Sequence, residues 1–499
     1  MIEIHYIIYF EGKKLVLELN KSNLNKFDRL IAEEMAKMKI GGLSYAIIKD
    51  GKVAHTQGFG ARDLDKNLPA DENTIYRIAS ITKSFICTAI MRLVEEGRLK
   101  VTDPVKSYLP LEIGTEDKPI TIKHLMNHTS GIPELAEDTF WYYLAREGVK
   151  IPPNTKLIPM SSENDFFRLI NGAGEFYHEL DQYFHYNNYG YTMLGMIITK
   201  IAGKDYREFI KEKIFQPLKM ESTSFYPEDF KDNNNLAQGY HVNPADRGGN
   251  TRKIGQWENR WERMAPGGIY SCVKDMVAYV LMHINGGTYR DVKIISKESS
   301  QEMQRNSLLP GTMAEKVVSN YSVHKSAGYG YGFRTDSNFY GHIVIGHSGG
   351  SFGYGSNLLF IPTLNIGIVA MANYMTPIII EVTSSILALL AGTPEENIHI
   401  LTEKNHFKKL NGIYEGFNEA LDRIKITGES SVLVIHNVDK HEFALPPTVL
   451  YPFDEKTLKP MEFYTRMPGG AKFIVFFEEI DGTLWFNYER FRFRKIGKI

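Results

Sequence analysis

The chain is poor in cysteine, with two among 499 residues, Cys87 and Cys272. That excludes a disulfide framework and a thiolate zinc site, and both residues read as small buried side chains. It also lacks any run of five or more basic residues, and 58 Lys and Arg nearly cancel 59 Asp and Glu, leaving a net charge of −1. Nucleic acid and anionic membranes are recognised through clustered cations, so neither partner is expected. No window approaches the roughly 18 uninterrupted apolar residues of a membrane span. The opening MIEIHYIIYFEGKK has neither a cationic leader nor a small-residue cleavage site, so a soluble, cytoplasmic protein is expected. Internal repeats are absent as well. What remains is an ordinary globular composition, 43% hydrophobic and 23% charged. The length asks for more than one core.

The periodicities divide the chain. Residues 1–22 alternate in the strand manner and read as an N-terminal β arm. Leu24, Phe27, Leu30, Ile31 and Met35 then mark one face of a helix, with Ser22 or Asn23 as its cap. LSYAIIK and KVAHTQGFG are two strands about an Asp50-Gly51 turn. Helical patterns follow at 81–95, 191–202 and 274–284 within a long mixed segment. HIVIGH, SNLLFIP and NIGIVAMAN are three strands in succession, and an apolar helix spans about 378–390. The fold class expected is α+β: a five-stranded antiparallel sheet flanked by the first and last helices, plus a helical lobe, over residues 23–395. Residues 404–499 read almost entirely as strands and form a separate all-β domain, a small barrel.

Two serine motifs compete. IVIGHSGGSFGYGSN fits G-x-S-x-G twice, at Ser348 and Ser351. A nucleophile elbow needs a helix after the serine, whereas strand character follows here, and His399, His406, His436 and His441 all lie in or beside the β domain. S-x-x-K occurs at Ser80-Lys83, Ser271-Lys274 and Ser322-Lys325, and about two such matches arise by chance at this length. Only the first opens a strongly one-faced helix, Ile81 to Val94. There the serine sits in the first turn and Lys83 one turn later on the same face. Ser271 reads as a helix cap and Ser322 as a loop residue.

A serine hydroxyl attacks only when a base takes its proton, and a lysine is a base only when neutral. Moving its pKa from about 10.4 to about 7 takes roughly 4–5 kcal/mol of burial and neighbouring charge, which an apolar helix offers. Read alone, the motif fits a serine cap with a solvated lysine equally well. Tyr186-Asn187-Asn188, the only Tyr-x-Asn in the chain, adds a phenol to relay the proton and an amide to hold the lysine or a substrate carbonyl.

With these residues together, the chain resembles the serine β-lactamase and penicillin-binding-protein-like superfamily, nearest its class C, D-aminopeptidase and family VIII esterase branch. YRIASITKSF resembles the S-x-x-K element, YNN the Y-x-N element, and His347-Ser348-Gly349 the third, written K-T-G or H-x-G. The resemblance implies that Ser80 is the nucleophile and that Lys83 and Tyr186 shuttle its proton. It further implies that Asn188, His347, Ser348, Gly349 and Gly350 line the substrate and oxyanion site on an edge strand, the backbone N–H groups of Ser80 and Gly350 forming the hole. No cofactor and no metal are implied. His347 replaces a fixed ammonium with an imidazole, which turns the expectation from β-lactams toward amide bonds of small or D-configured peptides. Carboxyl esters of short acyl chains, or a weak β-lactamase or penicillin-binding acyl sensor, are the alternatives. The KLNGIYEG opening of the last domain resembles lipocalin-like domains appended to such peptidases, with a role in shaping access or in homo-oligomer formation.

Two further clusters read as structural. His124 and His128 are four apart, as in a zinc site, yet no glutamate follows the first and no third ligand is evident. Phe140, Trp141, Tyr142 and Tyr143 read as core packing.

Overall fold

A computed structural model describes residues 16–132, 162–172, 180–181, 184–230, 235–242, 251–253, 261–309, 327–351, 353–376, 378–398, 401, 409–416, 423–429, 432–438, 448–452, 462–466, 472–488 and 491–498. Most of the N-terminal arm, the Phe140–Tyr143 cluster and the Ser322-Lys325 motif lie outside these residues. The chain divides into two compact units, Met1–Ala391 and Gly392–Ile499.

In the first unit, helix α1 (Lys21–Met38) is capped by Asn20, whose side chain accepts the Asn23 N–H, so the cap falls two residues before the expected Ser22. β1 (Gly42–Lys49) and β2 (Lys52–Asp63) are joined at Asp50 and Gly51, both at positive φ (53° and 75°), as a two-residue hairpin turn requires. The sheet has eight strands rather than five. β3 (Leu68–Pro69), β4 (Ala327–Tyr329), β5 (Arg334–Phe339), β6 (His342–Ser351), β7 (Tyr354–Ile361) and β8 (Ile366–Ala372) complete it in the order β4-β5-β6-β7-β8-β1-β2-β3. The five strands legible in the sequence are its contiguous centre, and short or polar strands extend both edges. Every pairing is antiparallel.

β1 and β8 are buried on both faces, which is why they read as unbroken apolar runs. Leu43 and Ala370 face α1 and the closing helix Ile378–Leu390. Ala46, Ile48, Val369 and Met371 face the main core. That core also holds α2 (Thr82–Glu95), α3 (Asn188–Ala202) and the helix Val273–Ile284.

The second unit contains an eight-stranded closed barrel of consecutive strands: β9 (Gly412–Gly416), β10 (Arg423–Glu429), β11 (Val432–Asn437), β12 (Thr448–Pro452), β13 (Glu462–Arg466), β14 (Lys472–Ile480), β15 (Thr483–Tyr488) and β16 (Phe491–Gly497). Pairing of β9 with β16 closes it. Tyr414, Phe463, Phe477, Phe486 and Phe493 fill the inside, so it is a packed core.

Candidate active site

Ser80 sits in a single 3₁₀ turn, Ala79–Ile81, that runs directly into α2. The turn is fixed from several sides. The Ile78 N–H donates to the Ile269 carbonyl at 2.9 Å, and the Ile78 carbonyl accepts from Ser356 Oγ at 2.8 Å. Thr82 Oγ1 accepts the Ile269 N–H at 3.2 Å. Ala79, between these anchors and the serine, is held at φ 45°. A non-glycine residue pays about 1–3 kcal/mol for such a conformation, and such strain collects where a side chain must be aimed.

Lys83 is fully buried. Its Nζ lies 3.1 Å from Ser80 Oγ, 2.8 Å from Asn188 Oδ1 and 3.0 Å from the Pro266 carbonyl oxygen. It also stands 4.7 Å from the centroid of the Tyr186 ring and 5.4 Å from that of Tyr191. Asn188 is the first residue of α3, three residues ahead of the expected start, because the preceding Asn187 is its cap and accepts the Gly190 N–H at 2.8 Å. The cap therefore places Tyr186 just outside the helix and Asn188 just inside, both toward Lys83.

His347 is buried on β6, between β5 and β7, so the strand is not an edge strand as expected. Its pairing with β5 nevertheless stops at Gly346, opposite Arg334, whereas pairing with β7 continues to Ser351. Among the described residues, the half that carries His347, Ser348, Gly349 and Gly350 is thus paired on one side only. His347 Nδ1 lies 2.6 Å from the Ser348 carbonyl oxygen, which can only accept, so that nitrogen carries the proton. Nε2 then accepts from the Tyr329 hydroxyl at 3.0 Å. Burial first, then the Arg334 charge, hold the imidazole well below its usual pKa, so it is neutral. Gly349 packs on the turn that carries Ser80: a Cβ there would meet the Ile78 carbonyl oxygen at 2.1 Å. Ser348 and Ser351 lie within β6, and no helix follows them, which removes the elbow reading.

Over residues 27–391 the chain matches the family described as Beta-lactamase. It belongs to that family of serine hydrolases. Residues 394–494 match the family described as the Pab87 octamerisation domain. The octameric penicillin-binding protein homologue from Pyrococcus abyssi is 30% identical, with a TM-score of 0.75 over 95% of this chain and all of that one. Protein flp of Staphylococcus aureus strain COL is 30% identical over 359 residues, 71% of this chain and 64% of that protein. This chain thus spans less than two thirds of that relative. A D-stereospecific amidohydrolase from Streptomyces sp. shares the fold, at 23% identity and a TM-score of 0.54 over 70% of this chain and 94% of that one.

Within this family frame the other sequence candidates fall away. Ser271 bonds Thr223 at 2.7 Å, Lys274 is exposed, and the cap position of the following helix is Cys272. His124 closes a capping box with Thr121 and reaches Asp181, while His128 Nδ1 accepts the Asn187 N–H at 2.9 Å, so the two are not paired ligands. Both thiols are buried, and burial pushes each up to about 12. No helix among the described residues is long and apolar enough to cross a membrane.

Two residues stand at the site where the sequence did not place them. His128 is buried, and its ring lies 4.3 Å from that of Tyr186, bracing the Tyr-x-Asn segment through both ring and backbone. Burial holds it well below its ordinary pKa, hence neutral. Arg334 on β5 places its guanidinium carbon 5.9 Å over the Tyr186 ring, and among the described residues its Nε is buried without a hydrogen-bond partner. Nothing in its local pattern, RTDSNF, distinguishes it from an outward polar strand residue.

Proposed function

We propose that the protein hydrolyses amide bonds of small or D-configured peptides through an acyl-enzyme on Ser80. The observation that carries this is the Lys83 amine, fully buried and 3.1 Å from Ser80 Oγ. Taking an amine out of water favours its uncharged form. A neutral amine has two N–H donors and one lone pair. With the Asn188 and Pro266 oxygens accepting its N–H groups, such an amine keeps its lone pair for the Ser80 hydroxyl 3.1 Å away. Lys83 accepts the Ser80 proton as Oγ attacks the carbonyl carbon. Tyr186 passes a proton to the departing amine, and the backbone N–H groups of Ser80 and Gly350 receive the developing oxyanion. Water then attacks the ester with the same groups acting in reverse. The one-sided half of β6 pairs with the peptide backbone, as strand addition does elsewhere. A fluorophosphonate probe is expected to label Ser80, as mapped by peptide mass spectrometry, and Ser80→Ala to remove the label. A label on Ser348 or Ser351 instead would sink the proposal.

Arg334 favours the peptidase reading over the esterase one. His347 is neutral, so the cation that would meet a substrate carboxylate comes from the neighbouring strand. Arg334→Gln is expected to raise KM about tenfold or more for peptides ending in a free carboxylate, and to leave the amidated peptides unchanged, since a charge-assisted hydrogen bond is worth about 1.5–3 kcal/mol. Equal losses on both substrate sets would remove Arg334 from substrate binding. The chain is further read as forming a homo-oligomer, on the strength of its match to an octamerisation domain and its likeness to an octameric homologue.

A further inference from the structure

The barrel turns two kinds of residue outward on β14, β15 and β16. Strand register sets Phe476, Asn487 and Arg492 in one row and Glu478, Trp485 and Arg494 in the next. Ile480 opposite Thr483 begins a third row, which Ile496 on β16 continues by alternation. Inward positions of the same strands, Val475, Phe477, Phe486 and Phe493, already fill the barrel core. The outward apolar side chains therefore contribute nothing to that core. Phe476 is 43% exposed, Ile480 40% and Ile496 45%.

The charges on this face neutralise one another. Arg492 Nη2 lies 2.7 Å from Glu478 Oε1, and Asn487 donates to the same oxygen at 2.9 Å. The Arg492 guanidinium carbon stands 4.5 Å over the Trp485 ring, and Arg494 reaches Glu415 on β9 at 3.8 Å. A face that attracted an anionic ligand would leave its arginines open. One whose arginines are already matched can be covered without stranding a charge. Trp, Phe, Ile and Arg around a paired centre is the composition of interface cores, and exposed apolar clusters mark contact surfaces.

We propose that the outer face of β14–β16 is the contact by which a second copy of this chain docks in the homo-oligomer. The proposal rests on the oligomer reading above and names its surface. These residues fall almost entirely within the stretch matched to the octamerisation domain. The contact buries Phe476, Ile480, Trp485 and Ile496 and leaves the Glu478–Arg492 pair intact beneath them.

The test measures the mass of the full chain by size-exclusion chromatography with light scattering, alongside circular dichroism and fluorophosphonate labelling. Phe476→Asp/Ile480→Asp is expected to yield a smaller species that keeps wild-type dichroism and labelling. Val438→Asp, which adds a charge at another exposed barrel position, is expected to keep the wild-type mass. Should the double variant misfold, Ile496→Lys alone decides, with the same expected loss of mass. Variants that are folded and keep the wild-type mass overturn the choice of face while the oligomer stands. A wild-type chain that is monomeric at every concentration overturns the oligomer reading and this contact with it.

Discussion

Replacing Lys83 by methionine is expected to leave a folded protein in which Ser80 reacts with a fluorophosphonate about 10²–10⁴-fold more slowly, the range that a positioned general base supplies. Methionine matches the length and apolar stem of lysine, so the packing of α2 survives. What disappears is the group that takes the proton. The Pro266 carbonyl also loses a donor at 3.0 Å, which costs about 1–3 kcal/mol of stability. The two effects separate in the measurement: a thermal melt reads the second, and the labelling rate at a temperature well below the melt reads the first. Wild-type labelling in a folded Lys83→Met protein would transfer the role of base to another group. Tyr186 is the residue then to be replaced.

The motifs that meet at the candidate site were legible because each is tied to a strong local signal. Ser80-Lys83 stands at the head of an apolar helix that is buried on nearly all sides, and Tyr186 immediately precedes another. Both helices form where the apolar spacing puts them, since their faces meet in one core. What lay hidden was everything set by long-range pairing. β4, β5 and β3 are short, polar or interrupted by glycine, and they exist because β5, β6 and β2, in turn, offer them backbone partners. Arg334 reaches the site only through that pairing, opposite Gly346. The Pro266 carbonyl is equally invisible, since backbone position carries no residue code. His128 was read as structural, and its bond to Asn187 shows a structural role exercised on the site itself.

The position of Ser80 depends as much on a missing methyl group as on any side chain present, and Gly349→Ala tests this. The added Cβ would stand 2.1 Å from the Ile78 carbonyl oxygen and 2.3 Å from Ser356 Oγ, which itself donates to that carbonyl. A hydroxyl can rotate away, but the carbonyl belongs to a turn anchored at Ile269 and cannot. Strand and turn must therefore separate. Overpacking of this kind costs about 1–3 kcal/mol, or a few degrees of melting temperature per kcal/mol in a chain of this size. The kinetic effect is read separately: a displacement of about 1 Å at the reacting atoms costs on the order of 10²-fold in rate. Gly350→Ala is the internal control. Its Cβ would meet only the flexible, exposed Met375 side chain, at 3.3 Å, so the melting temperature should stay near that of the wild type. If Gly349→Ala also melts and labels like the wild type, contact between β6 and the Ser80 turn does not position Ser80, and the strain at Ala79 must be maintained from the α2 side alone.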